Sequence, residues 1–214
     1  MRGDLINKRL VYLLFFTSII LVGAAIYVNY ANQQTSSKIE TYAENSTELS
    51  ILEAIKLAFS SALEWNDKAQ LLSAVNIDLD EKDDKGIGIN GKRKYWNIAF
   101  AVPDTNKYFL VTIHKGKIDD ASDFTVESSS PYPKNELMQI KDIKHDSPEL
   151  LKKALELGGI HPGEDWAKGY NFMIKKDPES GIPLMLVIGW NKELKNTVAV
   201  YFNVTTGEHL VSSN

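Results

Sequence analysis

Four histidines and one acidic run are the residues best suited to chemistry. The histidines are His114, His145, His161 and His209; the acids are Asp78, Asp80, Asp83 and Asp84. No histidine has a second His or a Cys at metal-ligand spacing. His114 and His209 fall at or just past the ends of predicted strands, where a solvated ring is the ordinary outcome. His161-Pro162-Gly163-Glu164-Asp165 could present His161 and Glu164 together, but Pro-Gly between them makes a turn rather than a helical face. The acidic run fails the EF-hand pattern. Counted from Asp78, position five is Lys82, position six is Asp83 and position twelve is Ile89. It reads as a solvated hairpin loop, with a loose extracellular Ca²⁺ site as the minor alternative.

Nucleophile and cofactor motifs are equally sparse. No Gly-x-Ser-x-Gly elbow or Ser-x-x-Lys occurs, and there is no P-loop. Gly86-Ile87-Gly88-Ile89-Asn90-Gly91 has the wrong third spacing for a dinucleotide loop. The chain has no cysteine, which removes disulfides, thiolate metal sites and thiol nucleophiles. Asn45-Ser46-Thr47 and Asn203-Val204-Thr205 match the glycosylation pattern, the second by chance within a predicted strand. Trp65, Trp96, Trp166 and Trp190 read as core or core-edge residues. The sequence therefore assigns no catalytic, cofactor-binding or metal residue, and the expectation is a protein that is not an enzyme.

The N-terminus carries a different signal. Leu10 to Val28, LVYLLFFTSIILVGAAIYV, contains no charge. At ~1.5 Å per residue such a helix spans roughly the ~30 Å hydrocarbon core of a bilayer. A signal peptide would have an apolar run of only ~7–15 residues and a small-x-small cleavage site. The best such site here ends at Ala31 and has Asn29 two residues before it. An uncleaved transmembrane anchor is the preferred reading; a removed signal peptide and a buried helix are the alternatives. A type IV pilin is disfavoured because the apolar run has no Glu. Arg2, Lys8 and Arg9 precede the run and no charge follows it until Lys38, so the positive-inside rule leaves residues beyond about 30 outside the cytoplasm. Of 24 basic and 28 acidic residues, setting aside Arg2, Lys8, Arg9 and Asp4 leaves 21 and 27, a balance of about −6. That argues against nucleic acid and against docking onto anionic lipid.

The elements beyond the anchor follow from periodicity. Ser50 and Glu53 have capping-box spacing, and Leu52, Ile55, Phe59, Ala62 and Leu63 then share a helical face. Ser73, Val75, Ile77 and Leu79 alternate as a strand. So do Trp96, Ile98, Phe100 and Val102, and then Phe109, Val111 and Ile113, which run into Lys115-Gly116-Lys117. The order then recurs. Ser147 is read as N-cap with Pro148 at the first helical position, and Leu151, Ala154 and Leu155 are the buried face. Gly158-Gly159 is the stop. Strands follow at Tyr170, Phe172 and Ile174, and at Leu184, Leu186, Ile188 and Trp190. The last is VAVYFNVTTGEHL. Aligning Gly116 with Gly207 puts Phe109, Val111 and Ile113 on Val200, Phe202 and Val204 in the same apolar phase, which a one-residue slip would reverse.

These stretches support a family resemblance. VAVYFNVTTGEHL resembles the closing strand of a PepSY domain through Gly207, Glu208 and Leu210, with Asn203 in place of the usual Asp. In the first copy Gly116 is kept but Lys117 replaces the Glu. Two such modules behind an N-terminal anchor also resemble the TseB-like family of bacterial envelope proteins. The resemblance implies inhibition or binding of peptidases, or regulation of cell-wall elongation.

The expected architecture is α+β: an N-terminal transmembrane helix followed by two tandem helix-plus-antiparallel-sheet modules of the αβββ, PepSY/cystatin-like kind. The expected parts are a cytoplasmic tail (1–9), the transmembrane anchor (10–28), a stalk (29–46), a first module (47–118), a surface linker (119–146) and a second module (147–214). The expected function is a bacterial, membrane-anchored, extracytoplasmic, non-enzymatic regulator. It meets the membrane through the N-terminal helix, takes a protein or peptide partner by sheet edge or sheet face, and uses no cofactor, metal or nucleic acid. An envelope hydrolase with an unrecognised active site, or the ectodomain of a sensor complex, is the alternative.

Overall fold

The computed structural model describes residues 48–80, 86–164 and 167–213. The first helix, α1 (Ile51–Trp65), begins as its capping box dictates. Ser50 Oγ accepts from the Glu53 N–H, and Glu53 accepts from the Ser50 N–H at 2.7 Å. Its buried stripe is Ile51, Ala54, Ile55, Ala58 and Ala62, a face rotated from the expected one; Leu63 is 43% exposed. Alanines every fourth residue let the helix axis approach the sheet closely, so the small side chains take the inner position.

Four strands follow: β1 (Gln70–Asn76), β2 (Tyr95–Ala101), β3 (Tyr108–His114) and β4 (Lys117–Asp123). The second helix, α2 (Ser147–Leu157), then precedes β5 (Asn171–Lys176), β6 (Pro183–Trp190), β7 (Thr197–Asn203) and β8 (His209–Ser213). The eight strands of the described residues form one sheet in the order β4-β3-β2-β1-β5-β6-β7-β8, with every neighbouring pair antiparallel. Read outward from its centre, the order is β1 to β4 on one side and β5 to β8 on the other.

This corrects the expected architecture. The two αβββ modules are not separate units. Each half has four strands rather than three, and the halves are fused where β1 pairs with β5 at Ser73–Lys175, Ala74–Ile174 and Val75–Met173. A single apolar core draws on both halves, from Ile55, Trp96 and Phe100 to Leu150, Phe172 and Phe202. The physical reason is size and edges: a unit of ~65 residues is only marginally stable alone, and an unpaired β1 or β5 would leave a central edge open. Nor do the described residues supply the expected transmembrane helix. No helix among the described residues is long and apolar enough to cross a membrane. Leu10–Val28, the tail and the stalk lie outside those residues.

Three local expectations change as well. In β1 a bulge between Leu71 and Ser73 shifts the register, so the core-facing residues are Leu71, Ala74 and Asn76 rather than Ser73 and Val75. In β6 the core takes Met185 and Val187, the opposite phase to Leu184, Leu186, Ile188 and Trp190. An unbroken apolar run hides which parity faces inward. The stretch 119–146 is not only a surface connection. It supplies most of β4, and Met138 exchanges backbone hydrogen bonds with Leu71 at 2.8 and 3.1 Å. By contrast, β2, β3 and β7 bury the expected positions Trp96, Ile98, Phe100, Phe109, Val111, Ile113, Val200 and Phe202.

The two helices start at the same place. The N-cap of α2 is Asp146, one residue before the expected Ser147. Its carboxylate accepts from Ser50 Oγ at 2.6 Å and from the Leu52 N–H at 3.1 Å. Ser147 Oγ accepts from the Ile51 N–H at 3.0 Å and donates to the Gly91 carbonyl at 2.6 Å. The first three backbone donors of α1 are thus satisfied, two of them by the other half of the chain. Gly91 is needed here: its φ is +77°, and a Cβ would lie 2.3 Å from Pro148 Cα.

Candidate functional site

The histidines are spread over the fold. His114 Nδ1 is 3.3 Å from Asp119 Oδ2, His145 Nδ1 is 2.9 Å from Glu149 Oε1, and His209 Nε2 is 3.1 Å from Ser212 Oγ. His161 exchanges backbone hydrogen bonds with Trp190. Burial pushes the His114 pKa below its ordinary value, with Asp119 opposing the shift. Glu149 is held below the usual carboxylate range first by its hydrogen bond to Lys153 and then by His145. Among the described residues no group of three or more His, Asp or Glu is arranged to hold a metal ion.

The acidic run takes a part that its sequence did not suggest. Arg93 is buried, and its guanidinium meets Asp80 at 2.5 Å and Asp78 at 3.7 Å. It also donates to the Tyr170 carbonyl and to Asn171 Oδ1. Asn76 Nδ2 donates to the same Asn171 Oδ1, and Asn76 Oδ1 accepts from the Phe172 N–H. Asp80 is therefore not a solvated loop acid. It neutralises a buried cation that ties the β1–β2 connection to the start of β5. Asp83 and Asp84 lie outside the described residues, as do Asp165, Trp166 and the Asn45-Ser46-Thr47 motif. Nothing in the triplet Lys92-Arg93-Lys94 marks the middle residue as the buried one.

Trp65 stacks on Phe109 with ring centroids 4.9 Å apart and donates to Asp123 Oδ2; Trp96 is fully buried. The stretch that resembles a PepSY motif forms the turn between β7 and β8. Asn203 Oδ1 accepts from the Thr205 N–H, and the Gly207 N–H donates to the Asn203 carbonyl. Gly207 has φ +71°, and a Cβ there would meet the His145 ring at 2.7 Å. Glu208 and Leu210 are exposed.

Both edges of the sheet are accessible. On β8 all five residues are exposed, and on β4 all but Ser122. The β4 edge was missed in the sequence because KIDDASD shows no apolar alternation. A signal for it was nevertheless present in Lys115-Gly116: both residues have positive φ, 49° and 76°, which is the two-residue hairpin turn that sends the chain back beside β3. The edge geometry of β4 follows from one bond. The Phe124 N–H donates to the Tyr108 carbonyl, so Phe124 and Ser122 point their backbone groups toward β3. By alternation, Ala121 and Asp123 point theirs outward. Beside them Phe124 and Val126 are 52% and 56% exposed.

No family model and no curated protein matches the chain, so the PepSY-like and TseB-like resemblance rests on the quoted residues alone. Among solved structures the chain is similar to a "putative lipoprotein" from Clostridium difficile. Identity is 11%, the match covers 73% of this chain and 89% of that one, and the TM-score is 0.45. A likeness of that size carries no argument about function.

Proposed function

We propose that the chain is a non-enzymatic binding and regulatory protein of the bacterial cell envelope. Its folded part lies outside the cytoplasm and takes its partner by strand addition at a sheet edge. The observation that carries this reading is the exposure of both terminal strands, β4 and β8. An edge strand offers a row of unpaired N–H and C=O groups to an extended segment of another chain, with neighbouring side chains setting specificity. The apolar run Leu10–Val28 and the basic residues before it support membrane association and an outward-facing folded part. Holding the module near the bilayer raises its effective concentration toward membrane-bound partners. A peptidase or the machinery of wall synthesis is the partner class that the PepSY-like resemblance implies.

The test uses the full chain in its own membranes, with a photo-crosslinking residue at Ala121, at Val211 or, as control, at Glu156 on α2. The expected result is one recurring adduct from an edge position and none from Glu156. Equal adducts from all three sites, or adducts from Glu156 alone, would remove the strand-addition reading.

A further inference from the structure

The two edges differ in chemistry. Across β8, His209 to Ser213, there is no carboxylate and no lysine. Across β4 there are Lys117, Asp119, Asp120 and Asp123, and Glu127 lies just beyond. Charges on an edge commonly guard against unwanted pairing. That explanation is incomplete for β4, because the same edge leads directly into exposed Phe124 and Val126. A merely guarded edge has no use for an exposed aromatic ring beside its open hydrogen-bonding groups.

We propose that β4 is the docking edge for an extended polypeptide of another protein that carries Lys or Arg alternating with apolar residues, paired to the outward backbone groups of Ala121 and Asp123. The proposal rests on the strand-addition reading and names its edge and the chemistry of its partner. A bulge sets where the pairing begins. Thr112 pairs with Asp120 and Ile113 with Ile118, so Asp119 is the extra residue, turned back to His114. The regular edge therefore runs from Asp120 through Asp123 into Phe124.

Side-chain parity then sorts the contacts. Ala121 and Asp123 sit opposite Val111 and Phe109, on the side of the sheet that carries the helices. Asp120, Ser122 and Phe124 project from the other side. Asp120 accepts from Ser122 Oγ at 2.8 and 3.0 Å, and the residue is exposed. An incoming strand thus meets a carboxylate at one end of this row, Asp120, and an aromatic ring at the other, Phe124, on the same side. An alternating strand turns its cations to this side, one to the Asp120 carboxylate and one to the exposed Phe124 ring as a cation–π contact, and turns its apolar side chains to the other side, over Ala121. A second copy of this chain fits poorly, because pairing two β4 strands brings Asp119, Asp120 and Asp123 of both copies onto one short edge. Charge here selects the partner as well as excluding the wrong one.

The test takes the full chain in detergent micelles and a fluorescent decapeptide of alternating Lys and Val. The same peptide with every second backbone amide N-methylated keeps its charge and cannot pair as a strand. A Glu–Val decapeptide reverses the charge. Saturable binding of the Lys–Val peptide is expected, with both controls weaker by about tenfold or more. Asp120→Lys should weaken Lys–Val binding by about tenfold and Asp120→Asn by about threefold, while Val211→Lys on β8 changes it less than about twofold. Unchanged melting of each variant shows that the fold is kept. If Val211→Lys weakens binding and Asp120→Lys does not, the assignment to β4 falls while strand addition stands. If the N-methylated peptide binds as well as the parent, both fall. Absence of Lys–Val binding, or equal binding of Glu–Val, overturns the cationic partner.

Discussion

Arg93 shows how one residue joins two distant parts of the chain. Its guanidinium is fully buried, and its partners come from Asp78 and Asp80 on one side and from Lys168, Tyr170 and Asn171 on the other. A buried charge is tolerated when it is paired and hydrogen-bonded, and removing one member strands the other. Arg93→Ala should therefore destabilise the fold by about 3–5 kcal/mol, since Asp80 would remain buried without its counter-ion. Urea unfolding of the variant against the parent measures this. A loss below ~1 kcal/mol would show that water replaces the guanidinium without penalty. The sequence contained this residue but not its burial. Desolvation is a property of the packed environment, and Lys92 and Lys94 are chemically similar neighbours.

At the scale of elements, the start of α1 was legible because a capping box is a contact within four residues. Ser50 and Glu53 are close in sequence and meet whatever the rest of the chain does. The start of α2 moved by one residue because Asp146 answers a non-local demand: its carboxylate also receives Ser50 Oγ and the Leu52 N–H. A single cap contributes about 0.5–2 kcal/mol. Asp146→Ala removes acceptors from both helices, so a loss of about 2–3 kcal/mol is expected. Ser50→Ala should lose about 1 kcal/mol. The double variant should lose less than the sum of the two by ~0.5 kcal/mol or more, because the two residues share a hydrogen bond. Strict additivity in chemical denaturation would mean that the two caps act independently. The same local-versus-distant distinction explains the strands. Regular alternation placed β2, β3 and β7 correctly, whereas the bulge in β1 and the continuous apolar run of β6 concealed their inward parity. The polar β4 gave no periodic signal, yet it bears the outward Ala121 and Asp123 groups on which the docking proposal depends.

At the scale of the whole molecule, the decisive contact is the pairing of β1 with β5. It converts two runs of helix and four strands into one sheet with a common core. Unfolding of the full chain in detergent should accordingly be a single transition in urea, with far-UV circular dichroism and tryptophan fluorescence coincident. Residues 48–124 produced alone should lack a cooperative transition, since they lose β5, Asp146 and the Lys168, Tyr170 and Asn171 partners of Arg93 together. Two separated transitions in the full chain, or cooperative unfolding of the half, would show that the halves are independent units after all.

What the sequence determined by itself was local: the absence of thiol chemistry, the capping box of α1, the alternating faces of three strands, the strand ends at Gly116 and Gly207, and an apolar N-terminal run. Each is set by residues a few positions apart, whose physics does not depend on how the chain later packs. Only the tertiary structure decided that the halves share one sheet, that Arg93 is buried against Asp80, that two helices share their caps, and that β4 and β8 are left as edges. Those contacts join residues between 13 and 102 positions apart, where pairing and burial depend on which surfaces meet and no short pattern records the choice.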